Sequence, residues 1–406
     1  MANLTVFKDD PRTRDLRARA TAALASLTAP NADPGPITDA ERAARRTRFA
    51  GLLTTAGVDA YLVESGATLD YLTGKALGNS ERLLALVVFA DGGLLWVTPG
   101  FEAERVEATA ARAIGGDVLP WDEHLDPGRV LGEELVRRTA RRVAVDPDVR
   151  ARFLPPIERA LGAACLDGRA LAASLRGIKD EHELALMRAA SERTQHAIRA
   201  VAALVVPGMT TSEVALYAHV AQEKLGLTHL WDLTLAGPSG AFPHGDGVDR
   251  EIARGEVLLL DTGGRLHGYC SDTTRTWVVD ARPSAEVVKV WNAVRDAQRG
   301  AYDALRPGLR SGDADGAARR ALAAAGYDGG YGHMGHRIGH GIGTEVHEPP
   351  YLDGGSDVIL APGMVFTNEP GIYQRGKFGL RIEDICVITA DGADHFGTWQ
   401  DGPEAP

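Results

Sequence analysis

The feature that most limits how this chain can fold is a layout that occurs twice. A long helical stretch beginning at Asp180 stops at Val206-Pro207-Gly208, and another, about Ser284–Arg306, stops at Pro307-Gly308. Proline cannot continue a helix, and glycine accepts the turn that ends one. A shorter helix follows each stop (about Thr211–Leu225 and Asp313–Ala325). Each half then delivers two acids on strands separated by a glycine-bearing turn. In the first half these are Asp261 and Asp272, with Gly263, Gly264 and Gly268 between them; in the second they are Glu369 and Glu383, with Gly371, Gly376 and Gly379 between. Turns centred at Leu266/His267 and at Gly376 predict that each acid faces its partner across a hairpin. The repeat is one of layout, not of residue identity.

The acids sit in the strand-like runs LLLDTGG, YCSDTTRT, FTNEPGIY and LRIEDI, and His340 sits in GHRIGHGIGTEVHE. Carboxylates are costly to bury unless they are paired or coordinate a metal. Asp261, Asp272, Glu369 and Glu383 with the His340 imidazole make a hard-to-borderline donor set. It suits two divalent ions such as Mn²⁺, Co²⁺ or Zn²⁺. His333, His336, His340 and His347 fall within fifteen residues, among glycines that let a backbone pack close to a bound group. His244, in AFPHGDG, is a further candidate. Two neighbouring divalent ions lower the pKa of a shared water, a ligating glutamate can pass its proton to a leaving nitrogen, and histidines can stabilise the oxyanion. That chemistry is metal-assisted amide hydrolysis.

The rest of the chain frames this site. At 406 residues, two domains are expected. Residues 1–38 read as an accessory segment: a basic, alanine-rich helix (Arg12–Leu27), then the proline-broken TAPNADPGPIT. Residues 39–175 alternate helix and strand signals, with strands at Asp59–Glu64, Leu83–Ala90, Gly93–Thr98 and Arg142–Asp146, which predicts an α/β domain with a parallel or mixed sheet. Thr38/Glu41 and Asp180/Glu183 form capping boxes. Residues 176–406 hold every candidate for chemistry. A net charge of −11 argues against nucleic acid. No apolar leader follows Met1, and the longest apolar run, Leu83–Ala90, is too short for a bilayer. Three well-separated cysteines, Cys165, Cys270 and Cys386, argue against a disulfide framework. Cys270, close to Asp272, reads as a small buried thiol. These features describe a cytoplasmic enzyme.

Residues 175–400 resemble the pita-bread metallopeptidases, a group that includes methionine aminopeptidase, Xaa-Pro aminopeptidase, Xaa-Pro dipeptidase (prolidase) and the metal-free creatinase. The preceding domain resembles the creatinase-type N-terminal domain, including the run YLTG at Tyr71–Gly74. The resemblance implies an α+β, two-domain chain whose C-terminal part has pseudo-two-fold halves, and a homodimer. It implies two divalent ions, Mn²⁺ before Co²⁺ or Zn²⁺. Asp261 binds one of them, Asp272 and Glu383 bridge, and His340 and Glu369 bind the second, with Glu369 also the base. It casts His244 and His347 as substrate contacts, His336 as a further histidine of Xaa-Pro enzymes, and Arg381 as a mark of proline-cleaving members. The expected substrate is a small peptide with proline at the second position. Ordinary peptidases that read an extended N–H cannot grip that bond, because proline has none. Candidates for a clamp on the substrate's C-terminal carboxylate are Arg337, Arg375 and Arg381. The compact two-domain length favours dipeptidase over aminopeptidase. Creatinase-like hydrolases and non-catalytic peptide-binding relatives lose the ligands that this sequence keeps, and methionine aminopeptidases usually lack the large first domain.

Overall fold

The structure is a computed structural model, and its described residues are Phe7, Asp9–Lys75 and Leu77–Pro406. They form two compact units: Ile37–Gly177, and a larger unit that joins the residues before Ile37 to Ile178–Pro406. Helix α1 (Pro11–Ala23) therefore belongs to the larger unit, with Asp10 capping its first turn through Thr13 N–H.

The smaller unit is built on a six-stranded sheet ordered β4-β3-β2-β1-β5-β6. Its strands are β1 (Ala60–Glu64), β2 (Ala85–Phe89), β3 (Leu94–Pro99), β4 (Asp117–Trp121), β5 (Val143–Val145) and β6 (Leu166–Asp167). The pairs β1·β2 and β2·β3 are antiparallel and the others parallel, so the sheet is mixed. Leu62, Val87 and Val97 pack into one core, and Tyr61, Leu86 and Trp96 into another. A sheet covered on both faces accounts for the nearly unbroken apolar strands. Helices α2 (Asp39–Ala56), α3 (Ala67–Thr73), α4 (Pro127–Arg137), α5 (Leu154–Leu161) and α6 (Arg169–Arg176) surround it. The Thr38/Glu41 capping box opens α2, and the YLTG run ends α3 at the left-handed Gly74.

The larger unit repeats one design. Its first half holds α7 (Glu181–Ala202), opened by the Asp180/Glu183 capping box, and α8 (Thr211–Lys224). They cover the strands β7 (Thr228–Ala236), β8 (Val257–Leu266), β9 (Tyr269–Cys270) and β10 (Thr273–Val278). The second half holds α9 (Ala285–Ala304) and α10 (Ser311–Ala324) over a five-stranded sheet. That sheet runs β12 (Glu348–Leu352), β11 (Gly339–Gly341), β13 (Val365–Asn368), β16 (Asp384–Ile388), β17 (Ala393–His395), with the hairpin β14 (Gly371–Gln374)–β15 (Phe378–Arg381) beside it.

Backbone hydrogen bonds make the duplication explicit. Gly208 N–H donates to Ile252, Ile252 to Met209, and Thr211 to Arg250; one half later, Gly308 donates to Leu360, Leu360 to Leu309, and Ser311 to Val358. Identity is not needed for this repeat, because glycine after proline and the same strand return produce it in both halves. Each half has its own core. Ile198, Val214, Ala218, Leu258 and Trp277 form the first, joined by Ala20 and Leu24 from the α1 segment; Val290, Trp291, Val294, Phe366 and Cys386 belong to the second. Arg17–Glu223 and Asn31–Glu192 fasten that segment further.

Register decides where the acids fall. Residues Glu369 and Glu383 lie in the interval between Asn368↔Asp384 and Gly371↔Arg381, facing one another as expected. The first pair differs. The tight turn is His267-Gly268, both at positive φ (49° and 93°), with Leu266 paired to Tyr269. Asp261 consequently faces Thr274, and Asp272 lies diagonally beyond it, opposite the Gly263–Gly264 stretch. A side chain at Gly263 would collide with the Ser271 carbonyl, so the two strands close here only around a glycine.

Candidate metal centre

Nine of the candidate residues, Asp261, Asp272, His340, Glu369, Glu383, His244, His336, His347 and Arg381, line one cavity of about 840 Å³. Asp272, His340 and Glu383 each offer one ligand atom, and the three atoms lie within 4.8 Å of one another. His340 Nε2 stands 3.6 Å from Asp272 Oδ2 and 3.4 Å from Glu369 Oε1. Close backbone approach holds His340 in place: a side chain at Gly339 would collide with the Thr367 carbonyl, and one at Gly341 with the Glu348 carbonyl. Thr367 accepts from His340 N–H and donates to Glu369 Oε1, which ties the two candidates together.

The donor chemistry fits cations. His340 Nδ1 lies 3.1 Å from the Gly341 carbonyl. A carbonyl only accepts, so Nδ1 carries the proton and the Nε2 lone pair faces the carboxylates. Burial, then the charge of His347, lower its pKa to about 3, so the ring is neutral. Asp261 Oδ1 and Asp272 Oδ1 are buried with no hydrogen-bond donor among the described residues. Burial first, and then the neighbouring carboxylates, push Asp272 and Glu383 well above the usual carboxylate range. Burial moves Glu369 up to about 7 against the pull of Arg381. Buried acceptors crowded together without donors are stabilised by divalent ions in their midst.

Supporting contacts run outward from this cluster. Thr274 Oγ1 donates to Glu383 Oε2 at 2.6 Å. Arg381 donates to Asp261 Oδ2 at 2.6 Å and to the Tyr373 hydroxyl at 2.9 Å. That hydroxyl in turn donates to His336 Nε2 at 2.8 Å, since His336 Nδ1–H is engaged by the Arg337 carbonyl. Asp384, next to Glu383, is buried behind the cluster. Its Oδ1 accepts from Arg275 (2.6 Å) and from Gln195 of α7 (3.1 Å), and its Oδ2 from Gln298 of α9 (3.0 Å). The two long helices thus each send one glutamine to the same carboxylate. Arg275 also donates to the Glu383 carbonyl at 2.7 Å. Of the proposed clamps, Arg337 lines the cavity and stacks on Tyr351, while Arg375 lies over Phe242. His333 bonds instead to Asp328 N–H and is not among the cavity's lining residues.

Sequence reasoning missed Tyr373, Trp231, His229 and Arg265, the last three being cavity residues on the β7–β8 wall. A break of register in β7 between Thr228 and Trp231, with His229 at φ 49°, produces that wall, and bulges leave little trace in sequence.

A pair of similar halves closing on a buried acid-rich centre is the equipment of a metal-dependent hydrolase. Residues 185–390 match the family model for metallopeptidase family M24, and residues 45–178 match the creatinase/prolidase N-terminal domain. The chain is 37% identical over 364 residues to the probable dipeptidase PepE of Mycobacterium tuberculosis, covering 87% of this chain and 94% of that one. It is 33% identical to an Xaa-Pro dipeptidase of Lactobacillus delbrueckii, covering 84% of this chain and 93% of that one. The crystal structure of dipeptidase PepE from Mycobacterium ulcerans superposes with a TM-score of 0.85 at 34% identity, over 91% of this chain and 99% of that one. The chain belongs to metallopeptidase family M24. Its larger unit accordingly has the pita-bread fold and its smaller unit is creatinase-like, and the family uses divalent metal. Among the described residues no helix is long and apolar enough to cross a membrane.

Proposed function

We propose that the protein hydrolyses the peptide bond before proline in Xaa-Pro dipeptides, using two divalent ions, Mn²⁺ before Co²⁺ or Zn²⁺. Asp261, Asp272, His340, Glu369 and Glu383 hold the ions. One observation carries this reading: buried ligand atoms from both halves, an imidazole nitrogen with its free lone pair among them, lie within 4.8 Å of one another. The bound ions supply Lewis acidity that polarises the scissile carbonyl and lowers the pKa of water. Glu369, beside His340 in the cavity, takes a proton from the attacking water and hands it to the leaving proline nitrogen. His244 and His347, kept neutral by burial and by nearby arginines, donate to the developing oxyanion. Tyr373 and His336 hold Arg381 against Asp261.

A dipeptidase must grip the substrate's C-terminal carboxylate. Arg381 is occupied by Asp261, whereas Arg337 has no ion-pair partner among the described residues and lies close enough to Glu369 and His347 to influence both. We assign Arg337 the carboxylate. Relatives named as dipeptidase, Xaa-Pro dipeptidase and prolidase favour the same reading. A cytoplasmic homodimer fits it. The X-Pro aminopeptidase of Thermotoga maritima, 27% identical with a TM-score of 0.75, keeps a second reading in view: cleavage of longer Xaa-Pro peptides. Assaying Leu-Pro against Leu-Pro-Ala with Mn²⁺ separates the two. Cleavage of the dipeptide alone is expected; cleavage of the tripeptide alone means an aminopeptidase, and cleavage of neither removes the proline reading.

A further inference from the structure

Arg265 lies on β8 four residues beyond Asp261. At the rise of a strand the two share one face, about 13 Å apart. Arg265 lines the same cavity as the candidate ligands, on the wall formed with His229, Trp231 and Leu233. Its strand neighbour on one side is Cys270, a buried thiol, which offers no counter-charge. Among the described residues no carboxylate pairs with its guanidinium. This is unlike Arg381, which is held by Asp261.

Charge balance makes the difference matter. Two divalent ions, together with Arg381, would more than balance the four carboxylates, so the centre has no negative charge to spare for Arg265, and Arg337 is left for the substrate's main-chain carboxylate. Arg265 then remains as an unmatched fixed cation on a largely apolar wall, displaced from the reacting centre along β8. A cation in such a place strengthens its bond to an arriving anion and penalises an arriving cation. The interval of about 13 Å suits an extended acidic side chain reaching from the centre toward a guanidinium reaching back.

We propose that Arg265 receives a carboxylate on the side chain of the substrate's first residue, so that acidic Xaa-Pro dipeptides, Glu-Pro above all, are the preferred substrates. This deepens the Xaa-Pro reading and rests on it.

Glu-Pro and Gln-Pro differ in little but charge, and their hydrolysis by the Mn²⁺-loaded protein tests the contact. The expected kcat/KM is about tenfold higher for Glu-Pro. The ratio falls to near one in R265Q and is partly kept in R265K. Equal kcat/KM in the unaltered protein, or a preference that survives R265Q, overturns the proposal. Calorimetric titration of the Mn²⁺-loaded protein with glutamate and with glutamine, the two first-residue products, tests the same contact without turnover. Tighter glutamate binding that R265Q abolishes supports the assignment, and indistinguishable binding overturns it. If neither dipeptide is cut while glutamate still binds through Arg265, the Xaa-Pro reading fails and the Arg265 contact stands.

Discussion

Replacing Asp384 by alanine probes the join between the halves. The Asp384 and Arg275 side chains are 1% and 2% exposed and pair at 2.6 Å. Burial raises the Asp384 carboxyl above its ordinary value, and Arg275 pulls it back toward ionisation. Stranding one member of a buried pair costs about 3–5 kcal/mol. Arg275 keeps bonds to the Thr274, Glu383 and Thr398 carbonyls, Gln195 keeps Phe396, and Gln298 keeps Asn368, which points to the lower end. At about 2–4 °C per kcal/mol for a unit of this size, a loss of about 3 kcal/mol lowers the larger unit's melting midpoint by about 6–12 °C. Adding R275M removes the stranded charge, so the double variant is expected to be more stable than D384A alone. Because Asp384 fixes the guanidinium that holds the Glu383 carbonyl, D384A loosens that anchor and should weaken Mn²⁺ binding by about 10–100-fold. Differential scanning calorimetry and metal titration read both effects. A midpoint within 2 °C of the parent together with unchanged Mn²⁺ affinity, or a double variant as unstable as the two single losses added, would refute the account.

Other outcomes follow from the same geometry. E369A is expected to lower kcat by at least about 100-fold with the fold intact by circular dichroism, since the proton acceptor is lost; near-normal turnover removes Glu369 as the base. Chelation should abolish hydrolysis and added Mn²⁺ or Co²⁺ restore it, and turnover that resists exhaustive chelation speaks against metal chemistry. Burial and then Arg381 hold His336 down to about 3. The unfolded chain therefore gains a proton below about pH 6.5 that the folded chain refuses, and stability falls as pH drops through that range. Imidazole signals of His336 should not titrate between pH 8 and pH 5 by NMR; a midpoint near 6.5 contradicts the buried neutral ring.

Much of this architecture could be read from residue order. Capping boxes at Thr38/Glu41 and Asp180/Glu183 start the helices they announce, because both partners lie within one turn of chain. Proline-glycine stops mark the two halves for the same local reason. Non-local features were harder. Centring the first hairpin at Leu266/His267 rather than on His267-Gly268 shifts every cross-strand partner by two, which is why Asp272 lies diagonal to Asp261 instead of facing it. Only the positive φ of both turn residues fixes that choice, and histidine does not advertise it. Tyr373 and Arg265 carry no motif. Their roles depend on what lies across the cavity, which spacing along the chain does not encode. The place of α1 was equally hidden, because an alanine-rich helix says nothing of which core will receive Ala20 and Leu24.

That placement has a consequence for how the molecule comes into being. During synthesis Ala20 and Leu24 emerge long before Ile198, Val214 and Leu258, the side chains they share a core with. The smaller unit is translated whole in the interval and can fold first, as an insert between two parts of one body. Its larger companion cannot complete that core until the ribosome has passed β10, so an early helix waits, exposed, for partners still unmade.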